Sequence, residues 1–430
     1  MVDSVLKQLT LEEKCALLSG VDFWHTTPIK RAGVPSVMMA DGPHGLRKET
    51  KKSDIANVMQ KSQPATCFPP AVTLASTWDR DLVADVAKAI ADEAIDQELV
   101  TVLGPGINIK RNPLCGRNFE YYSEDPYLAG ELCASYINGM QSKGVGTSLK
   151  HFAVNSQEYR RLTISSEVDG RAIREIYLAA FETAVKKSQP YTIMCSYNRI
   201  NGLHASENKW LLTDVLRKEW GFKGIVVSDW GAVNDRVLGV QAGLDLEMPT
   251  SSGVHDKMIF DAVQSGKISE EDVDVCAKRM LEYIFKCYNN KKASEGKKCD
   301  YSKSHKLARK AAASGAVLLK NEKALPIKES DDIAVIGWLA KTMRYQGGGS
   351  SNINPMNLVN FTDHLDAEKI PYAYTPGYGK GDGRNKKLLE EAVALAKEKK
   401  TVLLFVGLTD EYESEGYDRT HLELPQGHND

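Results

Sequence analysis

Long apolar runs are missing from this 430-residue sequence: no segment approaches the ~18 uninterrupted apolar residues of a spanning helix, so none is expected. The opening Met1-Val2-Asp3-Ser4-Val5-Leu6-Lys7 also lacks the apolar core of a secretory signal, and a cytoplasmic protein without membrane association is the expectation. Cysteine is sparse and unpatterned. The 8 residues form no Cys-x-x-Cys pair and no cysteine/histidine cluster at zinc spacing, so free thiols are expected rather than disulfides or a metal site. An excess of either charge is absent too: 55 Lys plus Arg against 57 Asp plus Glu leaves a net −2, with no basic field to attract nucleic acid or an anionic membrane. No internal repeat or low-complexity tract occurs. With 42% hydrophobic and 26% charged residues, the composition is that of an ordinary globular chain. At roughly 150 residues per domain, the length suggests about three domains, or two if one is a large barrel.

What is present is an alternation of short apolar runs with amphipathic stretches, the pattern of a parallel sheet wrapped by helices. Each run ends in polar groups. Pro35–Ala40 leads into Asp41-Gly42-Pro43-His44-Gly45-Leu46-Arg47, and Leu99–Leu103 into a Gly/Pro-rich segment with Arg111 and Arg117. Gly146–Leu149 leads into Lys150-His151, Tyr191–Met194 into Tyr197-Asn198, Gly224–Ser228 into Asp229-Trp230, and Leu244–Leu246 into Glu247. In a β/α barrel the C-terminal strand ends share one face, so the pattern gathers these groups around one pocket. Six runs are fewer than eight strands, which leaves a collapsed or incomplete barrel open. Thr10-Leu11-Glu12-Glu13 has capping-box spacing, and Asp274 to Lys286 keeps a helical period.

Composition then shifts. The lysine-rich Asn289–Lys298 stretch reads as an exposed linker. The expected organisation is a (β/α)8-like domain over 1–288, a linker over 289–304, and an α/β sandwich over 305–430. In the sandwich, His305 to Leu319 and Lys386 to Lys399 are expected helices, while Ile333–Gly337, Pro371–Tyr374 and Val402–Gly407 are expected strands. Its sheet is expected to be truncated, with the most apolar strand open on one side. That suggests a fragment, a second polypeptide completing the sheet, or a homo-oligomer.

Asp229, at the end of the strongest strand and beside Trp230, could attack an anomeric carbon while the indole stacks on a sugar face. Strand-end aspartates also commonly cap the next helix. Lys150, His151, Arg161, Arg117, Arg47 and Asp41 mix donors with an acceptor, which suits a polyol. Gly347-Gly348-Gly349-Ser350 lacks the Gly-Lys-Ser/Thr ending of a phosphate loop and reads as a tight turn near the pocket. The run Asp410–Arg419 could be a solvated face, or a loop braced by an Asp418–Arg419 pair that delivers a carboxylic acid into the neighbouring domain's pocket.

Together, Asp41-Gly42-Pro43-x-Gly45-Leu46-Arg47, Asn112–Glu120, Lys150-His151-Phe152, Tyr197-Asn198, Ser228-Asp229-Trp230 and Glu415–Arg419 resemble glycoside hydrolase family 3, especially its β-glucosidases. The resemblance is collinear over nearly the whole chain. It implies a retaining β-glycosidase that needs no metal or cofactor, acting on a small oligosaccharide or an aryl or alkyl β-glucoside. By motif, Asp229 is the nucleophile and Glu415 the general acid/base. Asp41, Arg47, Arg117, Lys150, His151, Arg161 and Tyr197 bind the terminal sugar, Ser350 matches a second-domain contact more loosely, and Trp230 walls the pocket. A β-xylosidase, an α-L-arabinosidase and an inactive sugar-binding fragment are the alternatives. The segment after Lys150-His151 lacks the Pro-Gly-His element of the family's N-acetylglucosaminidases, which disfavours that branch. Retention requires carboxyl groups about 5 to 5.5 Å apart. Basic neighbours are expected to keep Asp229 ionised, and the acidic run around Glu415 to keep it protonated.

Overall fold

Five parallel strands stand side by side in the order β1 (Met39–Asp41), β2 (Thr101–Leu103), β3 (Gly146–Phe152), β4 (Thr192–Cys195) and β5 (Ile225–Ser228). The computed structural model describes residues 1–49, 62–328, 331–381 and 383–430. Every residue of these five strands is buried, as a parallel sheet covered on both faces requires. Alternate residues feed two cores. Ala40, Val102, Leu149, Ile193 and Val226 pack with the helices Arg80–Asp96, Pro126–Ser142 and Ala179–Ser188. Met39, Leu103, Met194 and Val227 join Trp24 and Leu246 in the other.

The sheet closes through single-residue bridges rather than full strands. Val227 pairs with Leu246 and Glu247 with Ser19 in parallel, then Gly20 with Thr26 and His25 with Met38 antiparallel, which returns to β1. Hydrogen bonds of 3.0 Å from Leu246 N to Val226 O, Gly20 N to Glu247 O, Thr26 N to Val37 O and Met39 N to Trp24 O seal the ring. Five strands and three short segments, one of them reversed, thus make up a (β/α)8 domain, and the incomplete alternative is set aside.

Thr10 and Glu13 form the expected capping box. The helix Glu270–Ala293, capped by Ser269, runs further than its sequence period suggested, so 289–293 are helix and not linker. Two of the lysines there are anchored: Lys291 pairs with Glu98 and Lys298 with Asp96. The next helix, Tyr301–Ser314, stops short of the expected Leu319, leaving Val317, Leu318 and Leu319 exposed and non-helical.

In the second domain β6 (Ile333–Ile336) lies between β7 (Tyr372–Thr375) and β8 (Thr401–Leu404), all parallel. Its alternation makes the α/β sandwich. Ile333 and Val335 pack with Leu365 of the helix Phe361–Ala367, while Ala334 and Ile336 pack with Ala392 of the helix Lys386–Glu398. Among the described residues β8 forms one edge of the sheet, with Val402 and Leu404 exposed, as is Val406 just after it. Among the described residues, no helix is long and apolar enough to cross a membrane.

Candidate active site

The C-terminal ends of the barrel strands open into a cavity of about 450 Å³. All eleven residues singled out from the sequence line it: Asp41, Arg47, Arg117, Lys150, His151, Arg161, Tyr197, Asp229, Trp230, Ser350 and Glu415. Ser350 and Glu415 come from the second domain, so the cavity lies between domains.

Asp229 directly follows β5, its position fixed by its own N–H to Cys195 O at 3.1 Å. Its Oδ1 accepts from Trp230 N at 2.8 Å, and Oδ2 is buried without a hydrogen bond, His151 Nε2 being 3.6 Å away. Burial raises this carboxyl's pKa, against the pull of Arg117, Arg161 and Lys150. The expected basic neighbours are therefore present, but desolvation outweighs them. His151 bonds Tyr121 Oη through Nδ1 at 3.1 Å, and burial followed by the nearby cations holds it well below its ordinary range, so it is neutral. Its backbone is fixed by Asn108, whose amide donates to His151 O and accepts from His151 N, each at 2.8 Å.

Glu415 reaches the cavity on the loop after β8. Its Oε1 takes Arg161 Nη1 at 2.8 Å and lies 3.5 Å from Arg117 Nη1; its Oε2 takes the Ser350 backbone N–H at 2.9 Å. Burial raises its pKa, but Arg117, Arg161 and the Ser350 N–H outweigh burial and hold the carboxyl well below the usual range. This overturns the expectation of a raised Glu415. The acidic residues next to it in sequence act elsewhere: Glu413 pairs with Arg344 at 2.6 Å, and Asp410 and Glu411 are exposed.

The Asp418–Arg419 brace is also corrected. Asp418 accepts the N–H groups of Gly116 at 3.0 Å, Glu158 at 2.9 Å and Tyr159 at 2.9 Å, all from barrel loops, while Arg419 donates to Glu423 O. Two glycines permit this close approach. A Cβ on Gly116 would lie 1.8 Å from Tyr417 O, and one on Gly349, at φ +105°, 2.4 Å from Glu415 Cβ.

Two aromatic residues that sequence reasoning missed, Phe23 and Trp24, complete the wall. Trp230 Nε1 donates to Phe23 O at 2.9 Å, and its ring lies 5.4 Å from that of Trp24. Adjacent aromatics in an otherwise polar turn were the available signal. The Arg161 guanidinium sits 4.4 Å over the Tyr197 ring, and Tyr197 Oη donates to Trp230 O at 3.1 Å. Asp41 and Arg47 are 3.9 Å apart; burial pushes Asp41 up to about 7 despite Lys150 and Arg47.

A β/α barrel joined to an α/β sandwich, with a carboxyl group from each domain in one cavity, defines the class: two-domain proteins with an interdomain carboxylate site. Models of the glycosyl hydrolase family 3 N terminal domain and C-terminal domain match residues 28–283 and 316–430, and the chain belongs to glycosyl hydrolase family 3. It is 53% identical to thermostable beta-glucosidase B of Acetivibrio thermocellus, over 100% of this chain and 57% of that protein. It is 48% identical to exo-alpha-(1->6)-L-arabinopyranosidase of Bifidobacterium longum, over 98% of this chain and 56% of that protein. The crystal structure of the Bifidobacterium adolescentis GH3 beta-glucosidase aligns at TM-score 0.92 with 48% identity, covering 98% of this chain and 60% of that one. The chain therefore spans somewhat more than half the length of these relatives.

Proposed function

We propose that this chain carries the catalytic centre of a retaining, exo-acting β-glucosidase that removes terminal non-reducing β-D-glucosyl residues by double displacement. One observation carries this reading: Asp229 and Glu415, contributed by different domains, line a single cavity walled by Trp230. In this reading residues 1–288 supply the nucleophile and most of the sugar contacts, and residues 305–430 supply the acid/base loop. Asp229 attacks C1 through Oδ2, the oxygen left without a donor, while Trp230 N–H holds Oδ1. Glu415 protonates the leaving oxygen and then, as a base, activates the water that releases glucose. Asp41, Arg47, Lys150 and His151 hold the sugar hydroxyls through fixed donors and acceptors. Arg117, Arg161 and Tyr197 border both the sugar and Glu415.

The basic ring around Glu415 sets a condition on this mechanism. A carboxyl held low must gain a proton before it can act as an acid, so the proton has to be supplied within the site. The eight unpaired thiols support a reducing, cytoplasmic setting, and the exposed β8 edge supports a further polypeptide segment or a second copy beside it.

The 48% identity to a Bifidobacterium arabinopyranosidase favours a second reading, α-L-arabinopyranosidase activity by the same chemistry. Rates on 4-nitrophenyl β-D-glucoside, β-D-xyloside and α-L-arabinopyranoside, with Asp229→Ala as control, separate the two. The proposal expects the glucoside to have the highest kcat/KM, first-formed glucose in the β configuration, and loss of activity in the variant. Preference for the arabinoside supports the second reading, and inactivity on the whole panel overturns both.

A further inference from the structure

The barrel loop after β3 and the loop carrying Glu415 grip each other from both sides. Asp418 takes the Glu158 and Tyr159 N–H groups, and in return Glu158 Oε2 takes the Gly416 N–H at 2.9 Å. The same Glu158 oxygen accepts from Arg161 Nη1 at 2.8 Å, and that nitrogen is also 2.8 Å from Glu415 Oε1. One guanidinium nitrogen thus bridges two carboxyl groups from different domains. The other Glu158 oxygen, Oε1, is buried with no hydrogen-bond partner. Two carboxylates on one nitrogen repel when both are ionised, so protonation of one favours ionisation of the other and the pair titrates as a unit. Oε1, buried without a donor, is where a proton relieves the largest desolvation cost.

We propose that Glu158 is a positioning residue for Glu415: it clamps the acid/base loop through Gly416 N–H and shares one proton with Glu415. This rests on the reading of Glu415 as the acid. With Arg161 paired to Glu415 the proton resides on Glu158. When a leaving oxygen requires it, the O–H bond on Glu158 breaks with its proton passing to a cavity water, that water gives a proton to form the O–H bond on Glu415, and Arg161 transfers its pairing to the new Glu158 carboxylate. No electrons change hands and nothing else leaves. Burial pushes Glu158 up to about 7 although Arg117 and Arg161 pull it down, which matches a carboxyl that holds a proton at neutral pH. The other charged or titratable groups facing the pair are Glu120, paired to Arg117, together with Asp41, Cys115, Tyr121, Tyr197, Asp229 and Asp418.

Glu158→Gln in the full chain keeps an acceptor for Gly416 N–H and removes the proton store. Its test is kcat/KM against pH for cellobiose and for 2,4-dinitrophenyl β-glucoside, whose leaving group needs no proton. Loss of the shared proton should move the basic limb for cellobiose down by about one pH unit or more and lower its neutral-pH rate about tenfold, with the dinitrophenyl substrate changed less than about threefold. Equal losses on both substrates, or an unmoved limb, overturn the proton-sharing role. Hydrogen exchange at the Gly416 amide tests the clamp without activity: it should accelerate in Glu158→Ala and stay slow in Glu158→Gln, and unchanged exchange in the alanine variant overturns the clamp. If the wild-type chain hydrolyses neither substrate, the β-glucosidase reading and the proton sharing fail together, while amide exchange still decides the clamp.

Discussion

The barrel and the sandwich contribute to the cavity in different ways. Among the barrel's site residues, Asp41, Lys150, His151, Asp229 and Trp230 stand on or within two residues of fully buried strands, whereas Arg47, Arg117 and Arg161 come from the loops beyond them. The sandwich has a three-stranded sheet with two small cores, an exposed edge at Val402, Leu404 and Val406, and an exposed Val317–Leu319 segment. Its own core does not hold Glu415 in place. Hydrogen bonds do: from its own domain through Ser350 N–H and Gly348 O, and with barrel loops through Asp418, Gly416 and Arg161. The barrel thus supplies most of the cavity's lining, and the sandwich delivers one carboxyl whose placement and low pKa come from both domains.

The most damaging way to break this division is on the barrel side. Asp229→Ala should lower kcat on aryl β-glucosides by roughly 10⁴ to 10⁶, as loss of a catalytic nucleophile does, with an unchanged thermal midpoint showing that the fold survives. Removing the delivered group costs less: Glu415→Ala should lose about 10²- to 10⁴-fold on cellobiose, and much less on dinitrophenyl glucoside in the bond-breaking step. Steady-state rates on both substrates check this.

A milder break leaves both carboxyl groups present and moves one. Gly116→Ala places a Cβ where Tyr417 O now lies, so the loop must back away. A shift of about 1 Å costs up to roughly 10²-fold. The loss should appear in kcat, while binding of glucose, measured by calorimetry, changes little because the barrel contacts remain.

Stability offers a pH-dependent version. Glu415 titrates below its ordinary 4.5 when folded, so its contribution is present above that value and lost as pH falls through the folded pKa. Glu415→Gln, which leaves Arg117 paired with Glu120 and Arg161 with Glu158 but removes their shared third carboxylate, should destabilise the chain at pH 7 by on the order of 2 kcal/mol. The difference from wild type should shrink below pH 4.5, as urea titrations across pH would record. The smallest effect is expected at the sandwich edge. Leu404→Lys, at a position 61% exposed, should change stability by no more than about 0.5 kcal/mol and reduce self-association in light scattering.

The barrel strands were legible because each is a short apolar run whose end carries polar groups, and β6 because Ile333–Ile336 is apolar throughout, as a buried strand is. Barrel closure was only partly so: Leu244–Leu246 was among the expected runs, but the segments around Ser19 and His25 join by single bridges that have no periodicity. The site's membership could be read from motifs, but its electrostatics could not. Glu415 has acidic neighbours in sequence and arginines in space, and only the fold brings Arg117 and Arg161 to it. Likewise Asp418 next to Arg419 suggests an ion pair, whereas the fold gives that carboxylate three backbone N–H groups from the other domain.

Trapping the covalent intermediate tests the assignment of chemistry to the barrel most directly. After incubation with 2,4-dinitrophenyl 2-deoxy-2-fluoro-β-D-glucoside, peptide mass spectrometry should find one fluoroglucosyl group, on Asp229. A label on any other residue, or none under conditions where the parent glucoside is hydrolysed, would contradict it.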